Sequence, residues 1–115
     1  MTKRAERPAY RNEVLFAVSE LLSDIPDVRK GRMFGYPAFY VGRRMFAYLY
    51  GEGVGLKLPQ AQAQAQLHDG HALPFQPYGK AKMREWIELR HGEVRDYWRD
   101  RKLFLDAVAY GRSSE

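Results

Sequence analysis

The sequence predicts an α+β fold, an antiparallel β-sheet with flanking helices in the order α-ββββ-α-ββ-α. Three observations carry that expectation. Apolar stripes at helical spacing run from Tyr10 to Ser23 and from Val94 to Tyr110. Between them lie short, aromatic-rich segments punctuated by glycine and proline. The first four of these segments are too closely spaced for parallel crossovers, which need about a dozen residues, so the neighbours must be antiparallel.

In the first helix, Val14, Leu15, Val18, Leu21, Leu22 and Ile25 form the apolar face, and Arg11, Asn12, Glu13, Ser19 and Glu20 the polar one. Pro26 ends it, because the residue before a proline is pushed out of the helical region. The strands follow as Arg32-Met33-Phe34, Ala38 to Val41, Arg44 to Tyr50, and Val54 to Leu58. Gly42-Arg43 and Gly51-Glu52-Gly53 have the length and the glycine of tight hairpin turns. Val54, Leu56 and Leu58 alternate with Gly55 and Lys57, which describes a strand with one buried face and one open face. Pro59 then opens a short helix through Gln60–Leu67, where Ala and Gln favour the helix. Residues 70–83 form a loop or irregular strand around Leu73 and Phe75, and Arg84 to Leu89 reads as the last strand. The closing helix carries Val94, Tyr97, Trp98, Arg101, Phe104, Leu105 and Val108 toward the core, with Gly111 as its C-cap.

At 115 residues, 45% of them apolar and 29% charged, the chain is one globular domain. We divide it into a basic N-terminal tail (1–9), the domain (10–111) and a C-terminal tail (112–115). Eight Tyr, six Phe and two Trp mean that large rings supply much of the buried area. The absence of cysteine excludes disulfides, thiolate metal sites and a Cys nucleophile, and fits a cytoplasmic setting. No apolar run approaches the ~20 residues that span a bilayer, so no membrane partner is expected. The net charge of +5 favours acidic partners but is spread along the chain, with no basic arm.

Few motifs suggest chemistry. His68-Asp69-Gly70-His71 and His91 supply imidazoles, yet their spacing matches no metal signature, and solvated loop histidines explain them better. Ser19, Ser23, Ser113, Ser114 and Thr2 lie on a helix polar face, at a helix end or in a terminus, where no base is arranged to activate them. Glu52, Glu85 and Glu88 read as solvated strand charges. Gly51 to Gly55 sits between strands, not before a helix, and so lacks the context of a phosphate cradle. No catalysis, cofactor or metal is expected.

Two surfaces stand out. Lys80, Lys82, Arg84 and Trp86 alternate, and on one strand face they would make a basic strip ending in a ring, extended by Arg43 and Arg44 at a hairpin tip. Such a strip suits single-stranded nucleic acid; the simpler reading packs Trp86 under a helix with the cations bordering it. Tyr48 and Tyr50 share a strand face with Phe46, opposite Met45, Ala47 and Leu49. With Tyr40 they form an aromatic face, either covered in a central strand or exposed for pairing.

Met33-Phe34-Gly35-Tyr36-Pro37-Ala38, Met45-Phe46-Ala47, Leu56-Lys57-Leu58-Pro59, Pro74-Phe75 and Lys82-Met83-Arg84-Glu85-Trp86 resemble, in collinear order over about residues 10–110, the signatures of the TfoX/Sxy N-terminal domain family. The resemblance implies an α+β fold similar to secretion-chaperone-like folds. Gly42-Arg43 departs from the family's more usual Asn/Asp-Gly turn. The named members regulate natural competence and carry a second, C-terminal helical domain. This chain stops just past its last helix, so a stand-alone domain is expected. The resemblance brings no catalytic residues. The functional expectation is a protein-interaction or regulatory module, with a protein partner or a second copy on Tyr40, Phe46, Tyr48 and Tyr50. The competing expectation is nucleic-acid binding through Arg43, Arg44, Lys80, Lys82, Arg84 and Trp86.

Overall fold

A computed structural model describes residues 9–79 and 81–113. Most of the expected N-terminal tail, the last two residues of the C-terminal one, and Lys80 lie outside the described residues. The elements are α1 (Asn12–Leu21), β1 (Val28–Met33), β2 (Tyr36–Val41), β3 (Arg44–Tyr50), β4 (Gly53–Lys57), α2 (Gln60–His68), β5 (Leu73–Pro74), β6 (Trp86–Leu89), α3 (Asp96–Arg99) and α4 (Arg101–Ser113). The six strands form one sheet in the order β1-β2-β3-β4-β6-β5, antiparallel throughout. The fold is α+β, as the sequence predicts. Among the described residues no helix is long and apolar enough to cross a membrane.

The main core lies on the helical side of the sheet. Val14, Val18 and Leu21 of α1 and Phe104, Ala107 and Val108 of α4 pack onto Phe39, Leu49, Leu56 and Ile87 from the strands. Such side chains recur every second residue along β2, β4 and β6, which puts one apolar face against the helices. The other face carries Tyr36, Ala38, Tyr40, Met45, Tyr48, Tyr50 and Trp86, covered in part by Phe75 and Met83. Gly55 makes that cover possible. A Cβ there would meet the Phe75 ring at 2.4 Å, so the ring rests directly on the β4 backbone. The β4 face expected to be open is therefore covered.

Several expectations are corrected. Phe34 leaves the strand and enters the β1–β2 turn. The last strand begins only at Trp86, after a turn closed by the Trp86 N–H on the Met83 carbonyl at 3.2 Å. The closing helix breaks at Asp100 (φ −96°, ψ 13°), where the carboxylate turns inward to two histidines. Phe46 does not share a face with Tyr48 and Tyr50. The β2–β3 register slips between Phe39 and Tyr40, which face Ala47 and Met45, leaving Phe46 as the extra residue of a bulge. Phe46 joins Ala47 and Leu49 in the helix-side core, and Met45 crosses to the aromatic face.

Gly111 is not a cap either, since α4 continues to Ser113. Its role is contact: a Cβ there would lie 2.5 Å from Val41 Cγ1. Gly→Ala inside a helix ordinarily gains about 1 kcal/mol. Here overpacking against a stiff β-branched side chain reverses the sign, and Gly111→Ala should lower stability by about 1–3 kcal/mol. Val41→Ala in the same chain should recover part of that loss, as a urea-unfolding double-mutant cycle would show.

Two ion pairs fasten α4 to the connection between α1 and β1. Arg101 reaches Asp24 at 3.0 Å, and Arg112 grips Asp27 through two bonds of 2.6 and 2.8 Å. The Arg112 hydrogen bond lowers the Asp27 pKa below its ordinary value of 3.8. A carboxylate whose pKa is lowered on folding contributes stability above its unfolded pKa and loses it as pH falls through the folded one. Asp27→Asn should therefore flatten the acid limb of the stability profile, measured by urea unfolding from neutral pH down to strongly acidic pH, and leave the limb above neutrality unchanged.

Candidate functional site

The aromatic face of the sheet holds a cleft of about 190 Å³ lined by Met33, Phe34, Met45, Tyr48, Phe75, Pro77, Tyr78, Met83 and Trp86. Three methionines among aromatic rings make an adaptable apolar wall, because an unbranched thioether re-packs around varied shapes. Tyr48, at the floor, is 3% exposed. Its hydroxyl donates to the Met33 carbonyl at 3.1 Å and pairs with the Tyr78 hydroxyl. Burial, then the Tyr78 hydrogen bond, push the Tyr48 pKa far above the ordinary tyrosine value, so it serves as a neutral donor.

Phe34 and Tyr78, on opposite segments, shape the mouth. Phe34 and Gly35 form the two-residue turn between the paired Met33 and Tyr36, with φ of 53° and 83°. Positive φ at both positions is the type I′ pattern, which favours Asn-Gly because a Cβ crowds the left-handed region. Phenylalanine pays about 1–2 kcal/mol there. The turn is braced by the Arg32 guanidinium, which donates to the Gly35 carbonyl at 2.8 Å. Tyr78 also lies in the left-handed region, at φ 61°. Its N–H donates to the Tyr50 hydroxyl at 2.9 Å. The two rings meet edge to face, 6.2 Å between centroids, yet Phe34 remains 79% exposed and Tyr78 46%. Two large apolar side chains are thus held in strained backbone and turned partly to solvent. Strain of this kind persists where the surroundings over-determine it, and it collects at binding sites.

The sequence-predicted residues fall around this cleft unevenly. Tyr48 is its floor. Tyr50 stacks beside it, its ring 4.8 Å from those of Tyr36 and Tyr78. Tyr40 is partly buried under the Arg29 guanidinium at 4.7 Å. Phe46 is in the opposite core. Trp86 lines the cleft and packs on Phe75 at 5.7 Å. Lys82 and Arg84 are exposed on either side of Met83, but on a loop, so the alternating strand face with Trp86 does not form. Arg43 occupies the β2–β3 turn, and Arg44 opens β3, where it faces α4 beside Tyr110. Glu85, next to Arg84, is held by the Tyr110 hydroxyl at 2.7 Å and Lys57 at 3.7 Å, and it puts a negative charge into the expected basic strip.

Sequence reasoning missed Phe34, Phe75, Tyr78 and the three methionines as parts of one site. A signal was present in Gly53 and Gly55, two bare positions on one face of a strand, because missing side chains leave room for something to dock. His68 and His71 are exposed, as expected, but His71 is not merely solvated. His71 and His91 converge on Asp100, each imidazole Nε2 donating to a separate carboxylate oxygen, at 2.7 and 2.6 Å. Among the described residues no cluster of His, Cys, Asp or Glu is arranged to hold a metal. Glu88 is buried at 7% and paired with Arg90 at 2.9 Å, so it is not a solvated strand charge.

A family model, the TfoX N-terminal domain, matches residues 20–110. No curated protein and no solved structure matches the chain.

The geometry of the mouth makes an opposed pair of expectations for one substitution. Phe34→Asn relieves left-handed strain of about 1–2 kcal/mol and gives up a ring contact of about 0.5–1.5 kcal/mol. Its thermal midpoint should match or exceed that of the native chain in a circular-dichroism melt. Truncating a buried structural phenylalanine would instead cost about 3–5 kcal/mol of stability and lower the midpoint steeply.

Proposed function

The chain belongs to the TfoX N-terminal domain family, and on that footing we propose that it is a non-catalytic protein-interaction module whose methionine–aromatic cleft captures an apolar side chain of a partner protein. The observation that carries this reading is the pair Phe34 and Tyr78, each held at positive φ with its ring turned to solvent over an apolar floor. Exposing two large rings over strained backbone gives the fold little beyond their mutual contact, whereas a binding site gains two rigid anchors at low entropic cost. The charges beside the cleft select the partner. Lys82 and Arg84 flank Met83, so the favoured segment carries acidic residues around its apolar anchor.

The non-catalytic part of the reading is supported by the lining itself. Its ionisable groups are the tyrosines Tyr48 and Tyr78, and Tyr48 is kept protonated. Cysteine-free composition supports a cytoplasmic setting.

Panning a random peptide library on the protein tests the reading. We expect enrichment of a large apolar residue next to Asp or Glu, and no such enrichment on Phe34→Asn. A fluorescein-labelled enriched peptide should bind Lys82→Glu at least tenfold more weakly, about 1.4 kcal/mol. Equal binding by native protein and Phe34→Asn would remove the cleft from the account. Labelled oligonucleotides belong in the same series: binding that falls steeply with salt and is lost in Lys82→Ala and Arg84→Ala would favour nucleic acid instead.

A further inference from the structure

A second surface lies across the sheet from the cleft. β1 is an edge strand, and among the described residues only β2 pairs with it. The Phe34-Gly35 turn decides which of its groups face outward. In a two-residue hairpin the flanking pair, here Met33 and Tyr36, exchanges both main-chain hydrogen bonds. Alternation then turns the N–H and C=O of Lys30 and Arg32 away from β2, toward the open edge.

Beside that edge, on the helix side, α1 and β1 enclose two recesses of about 170 and 190 Å³ that share Lys30. Leu15, Leu22 and Phe39 give the groove an apolar floor, and Lys30 and Arg32 give it charge. Among the described residues no acidic side chain lines either recess. One feature has no use within the fold: Ser19 Oγ lies buried at the groove with no hydrogen-bond partner. An unmade bond of this kind costs about 1–3 kcal/mol and is recovered when an acceptor arrives.

Charged side chains on an edge strand ordinarily keep other strands away. Here they do so selectively. A second copy paired antiparallel about Gly31 would set Lys30 opposite the other Arg32, twice, and like charges directly opposed are unfavourable. An acidic strand meets the reverse situation.

We propose that β1 accepts an added strand from an acidic, extended segment of a partner protein. The main chain of that segment pairs with Lys30 and Arg32, its helix-side carboxylates meet their side chains, and the Ser19 hydroxyl donates to it. This surface is separate from the cleft and is tested separately.

The probe is a fluorescein-labelled peptide of alternating glutamate and valine, blocked at both ends, with a lysine–valine peptide as its counterpart. The acidic peptide should bind in an anisotropy titration and slow hydrogen exchange at the Lys30 and Arg32 amides at least tenfold. The basic peptide should do neither. Lys30→Pro deletes one outward N–H without touching the β2 ladder and should weaken binding at least tenfold, more than Lys30→Ala does. Paired Lys30→Glu and Arg32→Glu should reverse the preference. Should Lys30→Pro fail to fold, an acidic peptide N-methylated at its pairing positions makes the same test from the other side, and it should not bind. Phe34→Asn should leave this binding unchanged, which separates it from the cleft. The proposal is overturned if the acidic peptide does not bind, or binds without protecting the two amides, or perturbs Met83 and Trp86 instead.

Discussion

A single extra residue in β3 sets the two faces of this molecule. Side chains alternate along a strand, so a one-residue slip would exchange every inward group for an outward one. The bulge at Phe46 makes that exchange partway along β3. Beyond it, Ala47 and Leu49 face the helices while Tyr48 and Tyr50 face away, and before it Met45 faces away as well. Two consecutive residues, Phe46 and Ala47, therefore fill the helix-side core. The bulge gives the core a phenylalanine and the cleft a methionine from the same short stretch. An unbroken strand would place Phe46 among the tyrosines and Met45 under α4.

The two sides of the sheet are built by different means. The helix side is closed by α1 and α4, whose stripes bury Val18, Leu21, Phe104 and Val108 almost completely. Among the described residues the aromatic side has no α-helix. Its cover is the segment around Phe75 and Tyr78, which rests on the glycine-bared backbone of β4 and is held by tyrosine hydroxyls. A layer of few main-chain hydrogen bonds and large rings leaves gaps, and the cleft is one of them. Methionine tolerates such gaps better than branched side chains do.

The sequence makes the sheet and helices legible because they depend on local pattern. The two-residue turn at Gly42, the alternation of Val54 and Leu56, and the stripe from Val14 to Leu22 all lie within a few residues of the groups they organise. What escapes is decided at a distance or against propensity. The bulge at Phe46 leaves alternation intact on either side, so no window of residues marks it. Phe34 stands where a turn would favour asparagine, and its apolar character makes it look like strand. Asp100 sits in a helical stripe whose spacing survives the break, and the histidines that draw it inward are 9 and 29 residues away. Gly111 looks like a terminus because glycine often is one, whereas its reason is Val41 on a different element. The cleft combines residues from β1 to β6 and could be assembled only once the strand order was known.

The bond network at Asp100 ties the two sides together. Its carboxylate stands at the start of α4, in the helical layer, and one of its two partners is His71. Two residues beyond His71 the chain enters β5, and from there it runs through Phe75 to Tyr78 along the wall of the cleft. The other partner, His91, follows the end of β6, the strand that carries Trp86. In a chain without cysteine, one carboxylate thus knots together the roots of the cleft wall and the helix on the far face. Motion that lifts the wall from the sheet pulls on that knot, so the mouth of the cleft and the helical back of the domain work as one mechanical piece.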